Sequence, residues 1–265
     1  MTLLHVLADP AKGMTEAVEP PLVSVLIPAQ NEAENVGPLL AEIRAALAGR
    51  YAYEVILVDD ASQDETYACA LGTGARIGCP LQVLRHDRVA GQSTAVMTAA
   101  RHARGRYLVT IDGDGQNDPA DIPDLIDAAR RQISEDFCIA GHRVARQDSA
   151  WKRLQSRIAN RVRDALLHDG VPDTGCGLKL LPRVTFLALP YFDHMHRFLP
   201  ALVRAHGGAV AVVPVHHRPR LRGQSKYSAW NRAWAGIIDL LGVMWLQRRT
   251  RQVQVERAAL IDSAS

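Results

Sequence analysis

What the 265-residue chain lacks excludes several classes at once. No run reaches the roughly 20 apolar residues that a membrane-spanning helix needs. The nearest approach, residues 233–246, is interrupted by Asp239 and suits a buried or interfacial helix. The first twenty residues, broken by Pro10, Gly13 and Pro20, lack the charged start and continuous apolar core of a secretory signal and read as a loose tail. Cysteine is scarce: Cys69, Cys79, Cys138 and Cys176 show neither metal-ligand spacing nor a disulfide framework, and read as small buried residues of a reducing compartment. Internal repeats and low-complexity segments are absent. A formal net charge of +3 is too mild to argue for nucleic acid, although the excess is concentrated in residues 143–163 and 218–251, which suits phosphate ligands and anionic lipid.

What is present is an ordinary soluble composition, 48% hydrophobic and 22% charged, in a chain long enough for one main α/β domain. Runs 22–27, 53–58, 81–84 and 106–111 have the short, apolar character of strands covered on both faces. Between them lie helical patterns. One begins at Asn31, with Glu34 at capping-box spacing; another opens at Ser62 with Glu65 likewise spaced; a third covers 93–104. Strand and helix alternate, which predicts a mainly parallel sheet with helices on both faces. Further on, 122–133 reads as helix, 136–140 and 207–215 as strands, and 151–167 as an amphipathic helix whose basic face is most simply solvated.

In open parallel sheets ligands bind beyond the carboxyl ends of the strands. Three polar clusters fall there: 28–32, Asp59-Asp60 and Asp112-Gly-Asp-Gly-Gln116. The last puts two carboxylates and an amide on one loop, hard oxygen ligands that suit a divalent cation completing its shell with water and substrate phosphate. Alone, a Gly/Asp-rich turn after a strand is equally a solvated turn. Three coincident placements point to a site, and the cation implies a diphosphate-bearing substrate.

As an ordered set, Ile27-Pro-Ala-Gln-Asn-Glu32, Val58-Asp-Asp-Ala-Ser62, Gly91-Gln-Ser-Thr-Ala95, Asp112-Gly-Asp-Gly-Gln-Asn-Asp-Pro119, Gly141-His-Arg143, Asp173-Thr-Gly-Cys-Gly-Leu-Lys179 and Arg220-Leu-Arg-Gly-Gln-Ser-Lys-Tyr227 resemble family-2 glycosyltransferases of the GT-A fold. They resemble more closely the dolichol-phosphate-mannose-synthase-like branch, which moves sugars onto polyprenyl phosphates. The resemblance implies a GT-A nucleotide-diphospho-sugar transferase domain over 21–228, followed by an aromatic helix and basic tail over 229–265. It implies that Pro28, Ala29 and Glu32 hold the base and ribose of a GDP- or UDP-linked sugar, and that Asp59, Asp60, Gln92 and Asp112 complete the donor site. Asp114 and Gln116 are the expected ligands of Mg2+ or Mn2+. Asp112, Asp114, Arg143 and Lys226 are expected at the chemistry, and Arg143, Arg220, Ser225 and Lys226 at the phosphate of a polyprenyl acceptor such as undecaprenyl phosphate. That acceptor is already an anion and needs no strong base, and the reaction inverts the anomeric centre by direct displacement.

Many members of the branch carry spanning helices after the catalytic domain. With none before Ser265, association with the cytoplasmic face of the membrane is expected to be peripheral, through the tryptophan helix near Trp230 and through Arg248, Arg249 and Arg251, or supplied by a partner protein. His194 and His196, two apart, do not share a helix face and read as packing or acceptor-side residues rather than metal ligands. Competing readings are transfer to a neutral hydroxyl, for which Asp173 is the candidate base, a nucleotidyltransferase releasing pyrophosphate, and a binding protein without turnover.

Overall fold

The computed structural model describes residues 19–144, 161, 163–219 and 229–250, with side chains of 229–235 excepted. Seven strands form one sheet: β1 (Val23–Ala29), β2 (Tyr53–Asp59), β3 (Leu81–Arg85), β4 (Tyr107–Thr110), β5 (Phe137–Arg143), β6 (Lys179–Pro182) and β7 (Ala209–Val215). Their order is β3-β2-β1-β4-β6-β5-β7, and only β6 runs against the rest. The chain winds outward from β1 through α1 (Ala33–Leu47) and α2 (Thr66–Ile77), then returns through α3 (Gln92–His102) to lay β4 on the other side of β1. The reversal makes β1 and β4 the topological switch point, where the crevice of such sheets opens.

Alternation along the strands divides the core in two. Val23, Val25, Ile27, Val55, Leu57 and Val109 face α1 and α4 (Ile122–Arg130); Leu26, Ile56, Val58 and Leu108 face α3, α5 (Arg183–Ala188) and α6 (Leu199–Ala205). All ten are fully buried. At about 1.5–3 kcal/mol for each such side chain, two apolar faces of this size fix which residues can end up at the sheet's rim. The last helix, α7 (Ala229–Arg249), lays Leu240, Val243 and Met244 on the second cluster.

Two helix starts differ from the capping boxes expected at Asn31 and Ser62. Helix α1 begins at Ala33 without a side-chain cap, and α2 begins at Thr66, whose N–H donates to Asp64. Asn31 and Ser62 bind each other's loops: Asn31 N–H donates to Ser62 Oγ at 2.8 Å and Asn31 Oδ1 accepts from Gln63 N–H at 2.8 Å. Glu32 N–H donates to Thr66 Oγ1 and Ala33 N–H to Asp64 Oδ2, so the ends of β1 and β2 are sewn together by four cross-links. Asn31 takes a φ of 54°, a left-handed conformation that asparagine tolerates better than most residues. Asn31→Ala should therefore lose about 1–3 kcal/mol in urea unfolding, through the lost acceptor and the strained backbone, and Asn31→Gly less. Equal stability of all three proteins would remove the cross-link from the account.

Candidate functional site

The cleft opens at the carboxyl ends of β1 and β4 and is closed on its far side by residues 173–179, the turn that leads into β6. Its cavity is about 380 Å³, and its lining includes Pro28, Gln92, Asp112, Arg143, Lys179 and Arg197. Asp112 lies two residues past the end of β4, after the fully buried Ile111. Two glycines let its loop lie flat on the sheet edge. A Cβ on Gly113 would sit 2.9 Å from the Pro28 carbonyl, and one on Gly177 would overlap the Asp112 carboxylate. Thr110 Oγ1 donates to the Gly177 carbonyl at 2.7 Å, tying the end of β4 to the start of β6.

Asp112 Oδ1 accepts from Gln92 Nε2 at 2.8 Å, so the first residue of α3 holds this carboxylate. Burial, and next the charge of Asp114, push the Asp112 carboxyl up to about 6, against the pull of Lys179, Gln92 and Arg143. Asp114 and Gln116 lie half-buried on the same loop, where Asp114 Oδ1 accepts from Gln116 N–H at 3.1 Å. The loop is tied down at its far end: Gln116 carbonyl accepts from Arg218 N–H, and Arg218 forks Glu42 at 2.9 Å and reaches Asp118 at 2.6 Å.

The other residues expected at the donor stand behind the cleft. Ala29 is 2% exposed, and its carbonyl accepts from Asp60 N–H. Glu32 accepts from Asn35 Nδ2 at 2.6 Å. Asp59 is fully buried, accepts from Ser62 N–H and has Arg85 Nε at 3.3 Å. Asp60 accepts from Ala90 and Gly91 N–H and faces His86 Nδ1 at 2.7 Å. These carboxylates are engaged by the protein's own groups and hold the loops that carry Pro28 and Gln92. Of the expected acceptor-phosphate set, Arg143 is in the cleft, whereas Arg220, Ser225 and Lys226 lie outside the described residues.

Two cleft residues, Lys179 and Arg197, were given no role in the sequence reading, and a third, His196, was read as a packing or acceptor-side residue. Lys179 is 3% exposed and donates to the carbonyls of Thr174, at 3.2 Å, and of Cys176, bracing the far wall. A lone lysine heading the apolar run 180–181 was the available signal. His196 Nδ1 meets Ser93 Oγ at 2.7 Å, and burial followed by Lys179 and Arg197 hold it well below the usual histidine range. Arg197 follows it into the lining. Arg143 and Asp173 form a two-pronged pair, Nε to Oδ2 at 2.7 Å and Nη2 to Oδ1 at 2.8 Å. His194, read with His196 as a packing or acceptor-side residue, meets Asp239 at 2.9 Å, and His216, which follows β7, meets Asp121 at 2.7 Å. Among the described residues no three His, Cys, Asp or Glu side chains cluster as a metal cage.

The raised Asp112 has a stability consequence whose sign is fixed. Its folded value near 6 exceeds the ordinary 3.8, so the ionised carboxylate weakens the fold above pH 6 and the penalty fades as pH falls from 6 toward 4. In chelator-treated protein, Asp112→Asn should melt above the wild type at pH 8, with the gap closing at pH 4; a variant that melts lower at pH 8 would show that the charge is stabilised.

With that geometry in place, comparison with known proteins gives a consistent answer. The profile of Glycosyl transferase family 2 matches residues 24–187. A dodecaprenyl-phosphate galacturonate synthase of Rhizobium johnstonii is 33% identical over 91% of this chain and 71% of its own length. An undecaprenyl-phosphate 4-deoxy-4-formamido-L-arabinose transferase of Pseudomonas paraeruginosa is 33% identical over 78% of this chain, which spans 61%, less than two thirds, of that protein. Among solved structures, glucosyl-3-phosphoglycerate synthase from Mycobacterium tuberculosis with Mn2+, UDP-glucose and glycerol 3-phosphate superposes at a TM-score of 0.64 over 88% of this chain and 82% of its own, at 17% identity. Its complex with Mg2+ and UDP gives 0.65 at 16% identity, over 88% of this chain and 81% of its own. The mostly parallel sheet, the crevice at its switch point and these matches agree: the chain belongs to glycosyl transferase family 2 and is a glycosyltransferase of GT-A-like fold.

Proposed function

We propose that the enzyme moves a sugar from a GDP- or UDP-linked donor to a polyprenyl phosphate, with inversion, at the cytoplasmic face of a membrane. The observation that carries this reading is the state of the proton-accepting groups in the cleft. A neutral hydroxyl acceptor needs a general base poised near 7. Asp173, the candidate for that role, is forked by Arg143; His196 is hydrogen-bonded to Ser93 and held well below the usual histidine range, which makes it a weak base; Asp112, raised to about 6, accepts from Gln92 and sits beside the expected cation ligand Asp114, on the side assigned to the donor. A phosphate monoester arrives ionised and attacks the anomeric carbon without such help. The names of the two relatives, each a polyprenyl-phosphate enzyme, support the same acceptor class.

Asp114 and Gln116 offer a carboxylate and an amide oxygen on a half-exposed loop, and the charge of Asp114 is, after burial, the second cause that raises Asp112. This hard-oxygen set fits Mg2+ or Mn2+. Such an ion, when bound, neutralises charge on the diphosphate leaving group. Pro28 bounds the donor end, Gln92 and Asp112 orient the sugar, and Arg143 faces the acceptor's phosphate, with Arg220, Ser225 and Lys226 assigned to it from the sequence.

Among the described residues no helix is long and apolar enough to cross a membrane. Helix α7 nonetheless exposes Ile237, Ile238, Leu241 and Trp245 along one side, at 48%, 66%, 59% and 59%. Arg249 lies 5.8 Å over the Trp245 ring. An apolar stripe ending in an aromatic and arginines fits the headgroup level of an anionic leaflet, where each arginine adds about 1 kcal/mol.

Asp114→Ala should cut transfer of labelled sugar to an isoprenyl phosphate by at least about a hundredfold with little change in melting, because the loss falls on leaving-group stabilisation and not on the core. Chelation should silence the wild type, and Mg2+ or Mn2+ should restore it. Near-normal turnover of the variant at saturating metal would remove Asp114 from the metal site. The full chain should also float with anionic liposomes at low salt and less in high salt, and Trp245→Ala with Leu241→Ser should abolish flotation. Undiminished flotation of that double variant would place the membrane contact elsewhere.

A further inference from the structure

Three cations and two carboxylates line the cleft, and four of the five are committed. Arg143 is paired with Asp173, Lys179 grips two backbone carbonyls, and Asp112 accepts from Gln92. The Arg197 guanidinium alone among them has no hydrogen bond or ion pair within the described residues. A half-buried guanidinium facing a polar cavity without an acceptor is a poor way to place a charge unless an anion completes it.

Its setting is stiff. Arg197 ends a three-residue turn, Met195–Arg197, that is fastened twice. On one side His196 accepts or donates at Ser93 Oγ, 2.7 Å, and its N–H also reaches that hydroxyl at 3.3 Å, which binds the turn to the first residues of α3. On the other, His194 Nδ1 meets Asp239 Oδ2 at 2.9 Å, which binds it to α7. Asp239 lies on the same helix as the exposed stripe Ile237, Ile238, Leu241 and Trp245. The turn therefore spans from the cleft to the element with the most exposed apolar surface among the described helices, whereas the expected cation ligands, Asp114 and Gln116, do not line this cavity.

We propose that Arg197 is an acceptor-specificity residue: it binds the phosphate of the isoprenyl phosphate on the α7 side of the cleft, while the donor's diphosphate occupies the Asp112 to Gln116 end. This rests on the proposed function and names a contact that the family resemblance did not supply. Its chemistry is charge recognition. Arginine presents a fork to two phosphate oxygens, orienting the remaining oxygen for attack, and a lysine retains the charge without the fork. The straps keep that fork at one distance from Asp112, so acceptor and leaving group stay on opposite sides of the sugar, as inversion requires.

The test uses the full chain with farnesyl phosphate as a soluble acceptor probe and UDP or GDP with Mn2+ as the donor-side probe. Arg197→Gln should weaken farnesyl phosphate binding and raise its KM at least about tenfold, a loss of about 1.4 kcal/mol, while nucleoside diphosphate binding stays within twofold and melting is unchanged. Arg197→Lys should recover part of the acceptor binding. Farnesol should bind wild type and Arg197→Gln alike, since it lacks the phosphate. The proposal is overturned if Arg197→Gln binds farnesyl phosphate as wild type does, or if it loses nucleoside diphosphate equally. Wild-type transfer to a neutral sugar in place of any isoprenyl phosphate would instead overturn the function on which the proposal rests.

Discussion

The site depends on one close approach, that of the Asp112 carboxylate to the backbone at Gly177. The end of β4 and the turn into the antiparallel β6 are pressed together until a Cβ at residue 177 has no room. The Thr110 bond to the Gly177 carbonyl fixes the same contact from the sheet. Because β6 runs against its neighbours, the segment that precedes it lies at the carboxyl ends of the other strands. The turn 173–179 thus becomes the far wall of the crevice rather than a distant loop. Asp173, the partner of Arg143, and Lys179 both reach the cleft through that reversal.

The approach has an electrostatic cost, visible in Asp112, whose carboxyl is raised to about 6 by burial and by Asp114. The proposed binding of a cation and a diphosphate accords with such unfavourable charge, which binding sites commonly hold before their ligands arrive. Elsewhere the charges are neutralised in place: Asp59 and Asp60 hold loops, Arg218 pins the start of the basic segment to Glu42 and Asp118, and Arg143 occupies Asp173. The protein spends most of its rim carboxylates on geometry. Asp112 keeps one oxygen beyond its bond from Gln92, and Asp114 lies half-buried on the same loop, which is why these two stand out among the carboxylates.

Much of this was legible in the sequence because burial on both faces leaves a continuous apolar run. The runs 22–27, 53–58, 81–84 and 106–111 are strands, the helices between them are present, and the sheet is mainly parallel. The loop 112–116 was legible as well, since no core element needs Asp-Gly-Asp-Gly-Gln. Less legible were contacts between loops. Asn31 and Ser62 carry the local signature of caps but serve each other across 31 residues, a choice that only the neighbouring strand end can make. Strand β6 is four residues long and helix α6 seven, too short for periodicity to declare them. Lys179 acquired meaning only when β6 was placed beside β4, and Arg197 only when the turn before α6 was placed against α3. Arg220, Ser225 and Lys226 lie outside the described residues, so the proposed acceptor side is argued from Arg143 and Arg197 alone.

The central claim is that the cleft serves an acceptor that brings its own negative charge. It is tested most directly by identifying the product formed when the full chain is given radiolabelled GDP- and UDP-sugars, Mn2+ and a polyprenyl phosphate. The account predicts label in the organic phase as a sugar phosphodiester of inverted anomeric configuration by NMR, with nucleoside diphosphate released in equal amount. Label confined to a neutral glycoside, pyrophosphate in place of nucleoside diphosphate, or retained configuration would contradict it.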